Sequence, residues 1–372
     1  MNVFQLVSDK TWGGAEQYAF DLVDRLRHDS TKYVEVVCRK TPAVLNRFRR
    51  LEIPISILPL KGVYDFDSPV RFARLIGKGQ NIVHVHQLSD AMTAALARRI
   101  SENRNTRIVM SVHGMYKPRN NYLWRKIYRS IDAVIFPSQA ARERFVDASR
   151  GLDTSKAVVI GESVQPRALT TPSPDLRELM DMTPSQALLL YHGRIHPDKG
   201  IDTLLRAVTQ LDKDSFRLVI AGKGSPKYLA QLKGFIVANQ LVRNVRFIGF
   251  QDNVDQCISQ CDIGVLPSTA PEALGITGLE YMMHGKPLIT SNNGAQPEYV
   301  DHGVNGLLVD PSNYTQLAAA LQRLIDDTAY RNRIGQQALD DFNSRLNYDI
   351  FYDRLTDLYQ QVINRKRKIE NE

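Results

Sequence analysis

Cysteine is scarce in this sequence, which has only Cys38, Cys257 and Cys261 among 372 residues. A small, odd number of cysteines in a long chain argues against a disulfide framework and favours a reducing compartment, so the cytoplasm is expected. Cys257 and Cys261 have the spacing of one helix face, but no neighbouring histidine or cysteine completes a tetrahedral metal site. We therefore predict a packing role for Cys257 and Cys261.

Long apolar runs are also missing. No stretch approaches the roughly 20 apolar residues that a membrane-spanning helix needs. The segment Met1–Val7 lacks the charged region and the cleavage site of a secretory signal, and its pattern predicts a first strand. With 43% hydrophobic and 24% charged residues, the composition is that of a globular protein.

Positive charge is unevenly distributed along the chain, whose net charge is +8. Residues 1–165 contain 26 Lys and Arg against 16 Asp and Glu, whereas the remainder contains 22 against 24. The excess of positive charge therefore belongs to the first half. We expect that half to attract something anionic, whether an acceptor, a membrane headgroup or a nucleic acid.

Short Val- and Ile-rich runs alternate with stretches of helical periodicity, which predicts an α/β fold with parallel sheets. The length favours two Rossmann-like doubly wound domains. If they face each other across a cleft, ligands are expected at the carboxyl ends of the strands. The predicted strands are Val3–Val7, Val34–Cys38, Ile55–Leu58, Ile82–His86, Ile108–Val112, Ala133–Pro137, Ala157–Ile160, Ala187–His192, Arg217–Ala221, Val245–Ile248, Ile263–Pro267, Pro287–Ser291 and Gly306–Val309.

Three prolines within residues 165–174 disfavour both a helix and a sheet strand in this segment, because proline has no backbone N–H to donate. We therefore place a domain boundary there. Apolar residues at helical spacing predict a last helix over about Tyr348–Val362. The predicted organisation is an N-terminal domain over 1–165, a linker over 166–183, a C-terminal domain over 184–345, a helix over 346–364 and a basic tail over 365–372.

Two carboxylates flank a glycine turn after the predicted strand Ile263–Pro267. Glu272 lies on the loop, and Glu280 lies one turn into a helix predicted for Ile276–Met283. Gly275 allows the backbone to approach a ligand closely. The N–H groups and the dipole at the start of that helix suit a phosphate.

A second segment with glycines and cations follows the predicted strand Ala187–His192. Arg194 and Lys199 can place two cations over a diphosphate, the arginine as a fork and the lysine as a point charge. Gly200 opens the next helix. Gly222 lies in a further glycine turn, after the following strand.

These motifs resemble glycosyltransferase family 4, whose fold is the two-domain GT-B arrangement. The most specific element is the pair Glu272 and Glu280, with seven residues between them, followed by Gly193-Arg194…Lys199-Gly200. The resemblance extends from Trp12 to the last helix, and it implies that this helix returns to pack on the N-terminal domain. It implies a retaining, metal-independent enzyme that transfers a sugar from a UDP- or GDP-sugar to a saccharide or lipid-linked acceptor, in cell-surface polysaccharide or glycolipid biosynthesis.

The resemblance also implies roles for individual residues. Arg194 and Lys199 would bind the donor diphosphate, Glu272 the transferred sugar and Glu280 the ribose. The other implied donor-binding residues are Gly14, Gly222, Leu274, Gly275, Ile276 and Thr277. The family usually has an aromatic residue where this chain has Leu274, which bears on the sugar pocket, and His284 stands where a small residue is common. For His284 we expect a packing or turn role.

In the N-terminal domain, the resemblance implies that His113 lies against the donor sugar and acts with Glu272 as a catalytic residue. The Gly13-Gly14 loop would approach the diphosphate from the other side of the cleft. The implied acceptor-side residues are Trp12, Gly13, Glu16 and His86. Trp12 is either an acceptor contact or a loop anchor, and of His84 and His86 one is expected in the core and the other at the cleft.

The Asp-x-Asp motif by which many metal-dependent transferases hold a cation does not follow any predicted strand. Asp65-Phe66-Asp67 has its letters but precedes Ser68-Pro69, so a solvated turn or a helix cap is predicted. Charge on the leaving group would instead be met by Arg194, Lys199 and the helix start near Ile276. We expect no metal and no cofactor.

The segment 116–129 carries five cations, no acid and four aromatic residues. Two interpretations stay open: a peripheral contact with an anionic membrane surface, or a partly exposed helix with solvated charges.

Other function classes fit less well. An epimerase acting on nucleotide sugars with the same fold is the main alternative, and non-catalytic sugar binding stays open. A phosphorylase is disfavoured because no cofactor-binding lysine is marked. Nucleic-acid binding lacks a zinc or RNA-module signature, and a dinucleotide oxidoreductase lacks G-x-G-x-x-G after a strand.

Overall fold

The computed structural model describes residues 1–119, 121–166 and 174–365. They divide into two compact units: an N-terminal unit, Met1–Gly161 with the segment that begins at Phe351, and a C-terminal unit, Glu162–Ile350. Of the predicted linker, residues 167–173 lie outside the described residues, as do 366–372 of the predicted basic tail.

All thirteen predicted strands are present, with bounds that differ from the prediction by at most two residues. The strands are β1 Asn2–Val7, β2 Tyr33–Cys38, β3 Ile55–Ile57, β4 Asn81–Val85, β5 Thr106–Ser111, β6 Ala133–Phe136, β7 Ala157–Val159, β8 Ala187–His192, β9 Phe216–Ala221, β10 Val245–Gly249, β11 Ile263–Leu266, β12 Leu288–Ser291 and β13 Leu307–Val309.

Each unit contains one parallel sheet. The N-terminal sheet has the order β3-β2-β1-β4-β5-β6-β7, and the C-terminal sheet has the order β10-β9-β8-β11-β12-β13. The chain therefore reverses its direction of travel across the sheet between β1 and β4 in one unit and between β8 and β11 in the other. Ligands of doubly wound sheets bind at such switch points, beside the carboxyl ends of the strands.

Helices connect the strands. They are α1 Gly14–Leu26, α2 Pro42–Phe48, α3 Asp67–Leu75, α4 Leu88–Ser101, α5 Tyr122–Ser130, α6 Gln139–Asp147, α7 Leu176–Leu179, α8 Ile201–Val208, α9 Pro226–Ala238, α10 Val254–Gln260, α11 Ile276–Met283, α12 Tyr314–Asp326, α13 Thr328–Asp341 and α14 Tyr348–Asn364. The bounds predicted for α11 are confirmed, and α14 is two residues longer than predicted. All three cysteines are buried thiols, which confirms the packing role predicted for Cys257 and Cys261.

Strand β8 shows why these sequences form buried parallel strands. Leu189 and Tyr191 point into the apolar layer that also contains α8, whereas Leu188 and Leu190 point into the layer that contains α11. Because side chains alternate across a strand, a continuous apolar run supplies both faces of a covered sheet.

Helix α11 is held against the sheet by one aromatic side chain. A Cβ atom at Gly264 would overlap the ring of Tyr281, so the glycine in β11 makes room for that ring. The Tyr281 hydroxyl then donates a hydrogen bond to the Leu190 carbonyl oxygen at 2.7 Å. These two contacts fix the position of α11 against β8 and β11.

Candidate active site

The loops that follow the neighbouring strands β8 and β11 are joined by side chains. The Lys199 ammonium group donates a hydrogen bond to Oε1 of Glu272. The Ser268 hydroxyl donates to the same oxygen at 2.5 Å. Both side chains of the Lys199–Glu272 ion pair are largely buried. The structure thus brings together the two motifs that the sequence places 73 residues apart.

Asp198 positions the cationic loop. Its carboxylate accepts a hydrogen bond from Nη2 of Arg194 at 3.1 Å, and its backbone carbonyl accepts from the N–H groups of Thr269 and Ala270 at 2.9 and 3.2 Å. The Arg194 side chain is 63% exposed, so its guanidinium group remains accessible to a ligand. The sequence analysis assigned no role to Asp198. The one clue that the sequence offers is the position of Asp198 between the two cations.

Two glycines allow the loops to pack this closely. Gly200 has φ +66°, and a Cβ atom there would overlap the carbonyl oxygen of Pro267. Gly222 has φ +153°, and its Cβ atom would overlap the carbonyl oxygen of Gly193. Gly222 therefore supports the backbone next to Arg194, and its predicted contact with a donor stays a prediction.

The start of α11 lies beside the same loops. Gly275 caps the helix with φ +80°, and its carbonyl oxygen accepts a hydrogen bond from the Tyr299 hydroxyl at 3.2 Å. Ile276 and Thr277 form the first turn, where N–H groups lack partners within the helix. The Leu274 side chain is buried in the core, so only its backbone faces this turn.

Glu280 lies inside the unit rather than on the helix surface. Its Oε2 atom is 3.5 Å from Nε2 of His192, and both side chains are 7% exposed. The sequence analysis placed His192 at the end of a predicted strand but gave it no functional role. The available signal was its position directly before Gly193-Arg194. At the C-terminus of α11, Nδ1 of His284 lies 2.9 Å from the Glu280 carbonyl oxygen, which confirms the predicted turn role.

The glycine turn at Gly294 packs against the backbone of Glu272. A Cβ atom at Gly294 would overlap the backbone of Glu272, and the Ala295 N–H donates to the Glu272 carbonyl oxygen at 3.0 Å. The turn at Gly294 therefore fixes the backbone of Glu272.

In the N-terminal unit, three histidines lie together at the ends of β4 and β5. Nδ1 of His86 is 3.0 Å from Nε2 of His113, and the ring centroids of His84 and His86 are 4.8 Å apart. His84 is completely buried and lies 2.6 Å from the Tyr359 hydroxyl of α14. One of the predicted pair, His84, is thus a core histidine. The Tyr18 ring stands edge-on to His113 at 4.9 Å.

Burial controls the protonation of this cluster. Burial, with a smaller contribution from His113, lowers the pKa of His84 to about 3. Burial and the two neighbouring histidines hold the pKa of His86 well below its usual value. Both rings are therefore neutral at pH 7 and can exchange hydrogen bonds with Ser111 and Gln5.

The loop after β1 contains the predicted acceptor-side residues. The Gly13 N–H donates to the Glu16 carboxylate at 2.9 Å, and burial raises the pKa of Glu16 above its ordinary value. Trp12 donates to Gln17 at 3.2 Å and lies under the guanidinium group of Arg47 at 4.3 Å. Trp12 is thus a loop anchor, and an acceptor contact stays a prediction. Gly14 is exposed at the first position of α1.

Asp65 accepts hydrogen bonds from the N–H groups of Lys61 and Ser68 at 2.7 and 2.9 Å, which confirms a turn at this position. The turn is not solvated, because Asp65 is buried, and the N-cap of α3 is Phe66, which makes no side-chain cap hydrogen bond. In the basic segment, Tyr122 is 80% exposed whereas Trp124 is buried, so only part of its aromatic surface faces solvent. Asn120 of this segment lies outside the described residues.

Across residues 1–119, 121–166 and 174–365, no three His, Cys, Asp or Glu side chains form a group that could hold a metal ion. Within the same ranges, none of the helices has both the length and the apolar character that a bilayer crossing requires.

Two family models match consecutive parts of the chain. The model described as "Glycosyltransferase Family 4" matches residues 12–166, and the model described as "Glycosyl transferases group 1" matches residues 181–341.

Characterised relatives share about a quarter of their residues with this chain. One is the GDP-mannose-dependent monoacylated alpha-(1-6)-phosphatidylinositol monomannoside mannosyltransferase of Corynebacterium glutamicum. It is 26% identical over 288 residues, which cover 73% of this chain and 74% of that enzyme. Another is the lipopolysaccharide 1,2-N-acetylglucosaminetransferase of Salmonella typhimurium, 26% identical over 254 residues, which cover 65% of this chain and 64% of that enzyme.

Solved structures share the fold. Anabaena HepE in complex with UDP has a TM-score of 0.84 at 22% identity, over 97% of this chain and 100% of that one. A HepE complex with UDP-glucose has a TM-score of 0.82 at the same identity and coverage. The likeness shows that this chain has the predicted GT-B fold of two parallel α/β units.

Proposed function

The chain belongs to glycosyltransferase family 4, and we propose that it is a retaining, metal-independent hexosyltransferase with a nucleotide diphosphate sugar as its donor. Its acceptor is a saccharide or a lipid-linked saccharide of a cell-surface polysaccharide or glycolipid. The relatives support this choice, since one uses GDP-mannose and a phosphatidylinositol mannoside and another acts on lipopolysaccharide. The donor is a UDP- or a GDP-sugar.

One observation carries the proposal: Lys199, Arg194 and the start of α11 lie around the ends of the neighbouring strands β8 and β11. Two cations and the N–H groups of a helix start are well suited to bind a diphosphate. The hydrogen bonds that the Glu272 carboxylate accepts from Lys199 and Ser268 both end on Oε1, and we assign Oε2 to hydroxyl groups of the transferred sugar. Glu280 is assigned to the ribose.

The proposed reaction proceeds on one face of the sugar. The bond between the anomeric carbon and the β-phosphate oxygen breaks, and the acceptor oxygen bonds to the same face of that carbon. The acceptor proton passes to the departing phosphate oxygen. Arg194, Lys199 and the helix start stabilise the charge that develops on the diphosphate, which is the usual route to a large rate enhancement. His113 orients the sugar, with His86 as its hydrogen-bonded neighbour.

Turnover tests the proposal. The chain is incubated with a panel of UDP- and GDP-sugars, with and without EDTA, and the anomeric configuration of the product is determined by NMR. Transfer with retention that survives EDTA is expected. Inversion, or a rate restored only by a divalent cation, contradicts it, and so does a glycosyl group trapped on Glu272 and detected by mass spectrometry.

Incubation with the donor alone distinguishes the epimerase alternative from glycosyl transfer, because an epimerised nucleotide sugar would then accumulate without an acceptor.

For the location of the enzyme we propose the cytoplasmic face of a membrane. Four of the five cations of segment 116–129 are exposed, as is Tyr122, which supports this location. Co-sedimentation with anionic vesicles at low salt tests it.

A further inference from the structure

A cavity of about 490 Å³ lies at the carboxyl ends of β1, β2 and β3 in the N-terminal unit. Four cationic side chains line it, and none of the described residues that line it is acidic. The four are Lys10, Arg39, Lys40 and Arg71. Such a concentration of one charge sign in a concave surface raises the local concentration of anions.

Arg39 is built into the wall of this cavity. It follows β2 directly, and its Nη2 atom donates a hydrogen bond to the Leu60 carbonyl oxygen. Its Nε atom is buried and, among the residues that the structure describes, has no hydrogen-bond partner. A buried donor of a charged group without a partner is costly, and a bound anion would remove that cost.

The neighbouring acids do not neutralise the cavity. Asp67 pairs with Arg71 at 3.4 Å, but both side chains are exposed, so the pair is weak. Asp9 already accepts hydrogen bonds from the Lys10 backbone N–H and the Gln87 side chain. Burial raises the pKa of Asp90, the acid that interacts electrostatically with Arg39, to about 7, which weakens it as a counter-charge at neutral pH.

We infer that this cavity binds a phosphate group carried by the acceptor. Arginine forks and lysine ammonium groups are the side chains that recognise phosphate. Lys10 lies in the same loop as Trp12 and Gly13, which the proposed function assigns to the acceptor side. The inference rests on that proposed function and narrows the acceptor to phosphate-bearing compounds.

The phosphate could belong to a lipid or to a soluble sugar phosphate. Two large apolar side chains in the loop between Leu60 and α3 bear on this choice: Tyr64 is 87% exposed and Phe66 is 79% exposed. The loop that carries them is ordered by the hydrogen bonds of Asp65. Exposed aromatic residues next to a cationic cavity suit a membrane–water interface.

Titration with inorganic pyrophosphate at physiological salt tests the inference. The wild type is expected to bind two equivalents, one in each unit. Lys10→Glu with Lys40→Glu should weaken the N-terminal site by about tenfold or more. Arg194→Ala with Lys199→Ala should remove the C-terminal site only. Lys78→Glu with Arg99→Glu is the matched control. It makes the same charge change before β4 and β5, at the amino ends of the strands, and should retain both sites.

The two ways of failing are distinct. Wild-type binding by the Lys10/Lys40 variant, with a normal thermal transition, overturns the inference. Wild-type stoichiometry in the Arg194/Lys199 variant instead counts against the proposed function. Vesicles of phosphatidylglycerol in phosphatidylcholine identify the source of the phosphate. If the wild type is retained on these vesicles, and both Lys10→Glu/Lys40→Glu and Tyr64→Ser/Phe66→Ser abolish that retention, the phosphate belongs to a lipid. If the wild type binds glucose 1-phosphate but is not retained on the vesicles, the acceptor is soluble.

Discussion

The ammonium group of Lys199 donates a hydrogen bond to Oε1 of Glu272, which also accepts one from the Ser268 hydroxyl at 2.5 Å. The lysine is therefore held in place by the carboxylate that we assign to the sugar. Such preorganisation avoids the cost of ordering a long side chain during the reaction. With the proposed assignments, the same contact is expected to couple the binding of the sugar to the binding of the diphosphate.

Replacing either partner should reduce turnover, and the two effects should not add. We expect Lys199→Ala to lower kcat by about 10²-fold or more, because it removes a charge that stabilises the leaving group. Glu272→Gln should lower kcat while the dissociation constant of the free nucleoside diphosphate changes little.

Steady-state kinetics of both single variants and of the double variant measure the coupling between them. Arg206→Ala, which removes an exposed cation from α8, serves as the matched control and should have near wild-type kinetics. Strictly additive losses in the double variant would mean that the observed pair does not act as a unit.

Glycine substitutions should separate close packing from ordinary flexibility. Gly200→Ala and Gly222→Ala place a methyl group on a backbone carbonyl oxygen at positive φ, so each should destabilise the C-terminal unit by about 2 kcal/mol or more. Gly234→Ala lies in the middle of α9, where a Cβ atom has no neighbour within 4 Å, and should stabilise by about 0.5–1 kcal/mol. Urea denaturation gives the three values, and a neutral effect of Gly222→Ala would refute the packing argument.

The buried histidines should make stability depend on pH. His84 has a folded pKa of about 3, whereas in the unfolded chain it titrates near its ordinary value of 6.5. Between these values the unfolded state binds the additional proton, so stability falls as the pH drops from about 6.5 towards 3.

Thermal midpoints of the wild type and of His84→Gln, measured from pH 4 to pH 7, isolate this contribution. Glutamine retains hydrogen-bonding atoms for Ser111 and Tyr359 but cannot titrate. The difference between the two proteins should grow with acidity in favour of the variant. Parallel curves would show that the His84 ring does not resist protonation.

His113 should affect the chemistry more than the fold. It is half-buried, and its observed partner His86 is held in turn by Gln5. We expect His113→Ala to lower kcat by about 10²-fold, because the sugar is no longer held in its reactive orientation, with a small change in thermal midpoint. Gln5→Leu should produce a smaller loss of kcat, because it acts through His86. A loss of stability that matches the loss of activity would reduce His113 to a structural residue.

The strands could be predicted because each is buried on both faces, so runs such as Leu188–Tyr191 are apolar without interruption. Helix α11 was predictable because Gly275 marks its start. The positions of Arg194, Lys199 and Glu272 also followed, since motifs after strands converge at one edge of a parallel sheet.

The partners within the site did not follow from the sequence. The contacts of His192 with Glu280 and of His86 with His113 depend on how β8 and α11, or β4 and β5, stand against each other. Sheet order and side-chain rotamers decide these contacts, and neither is encoded in local periodicity. The cationic cavity likewise combines residues from the ends of three strands and from α3.

Calorimetric titration of UDP and GDP into the wild type and into Arg194→Ala/Lys199→Ala tests the central claim most directly. For the nucleotide that binds the wild type, the variant should lose about 100-fold in affinity, since two charge-assisted contacts to the diphosphate disappear. The corresponding nucleoside should bind both proteins equally. Equal affinity of the two proteins for the nucleoside diphosphate would contradict the assignment of Arg194 and Lys199.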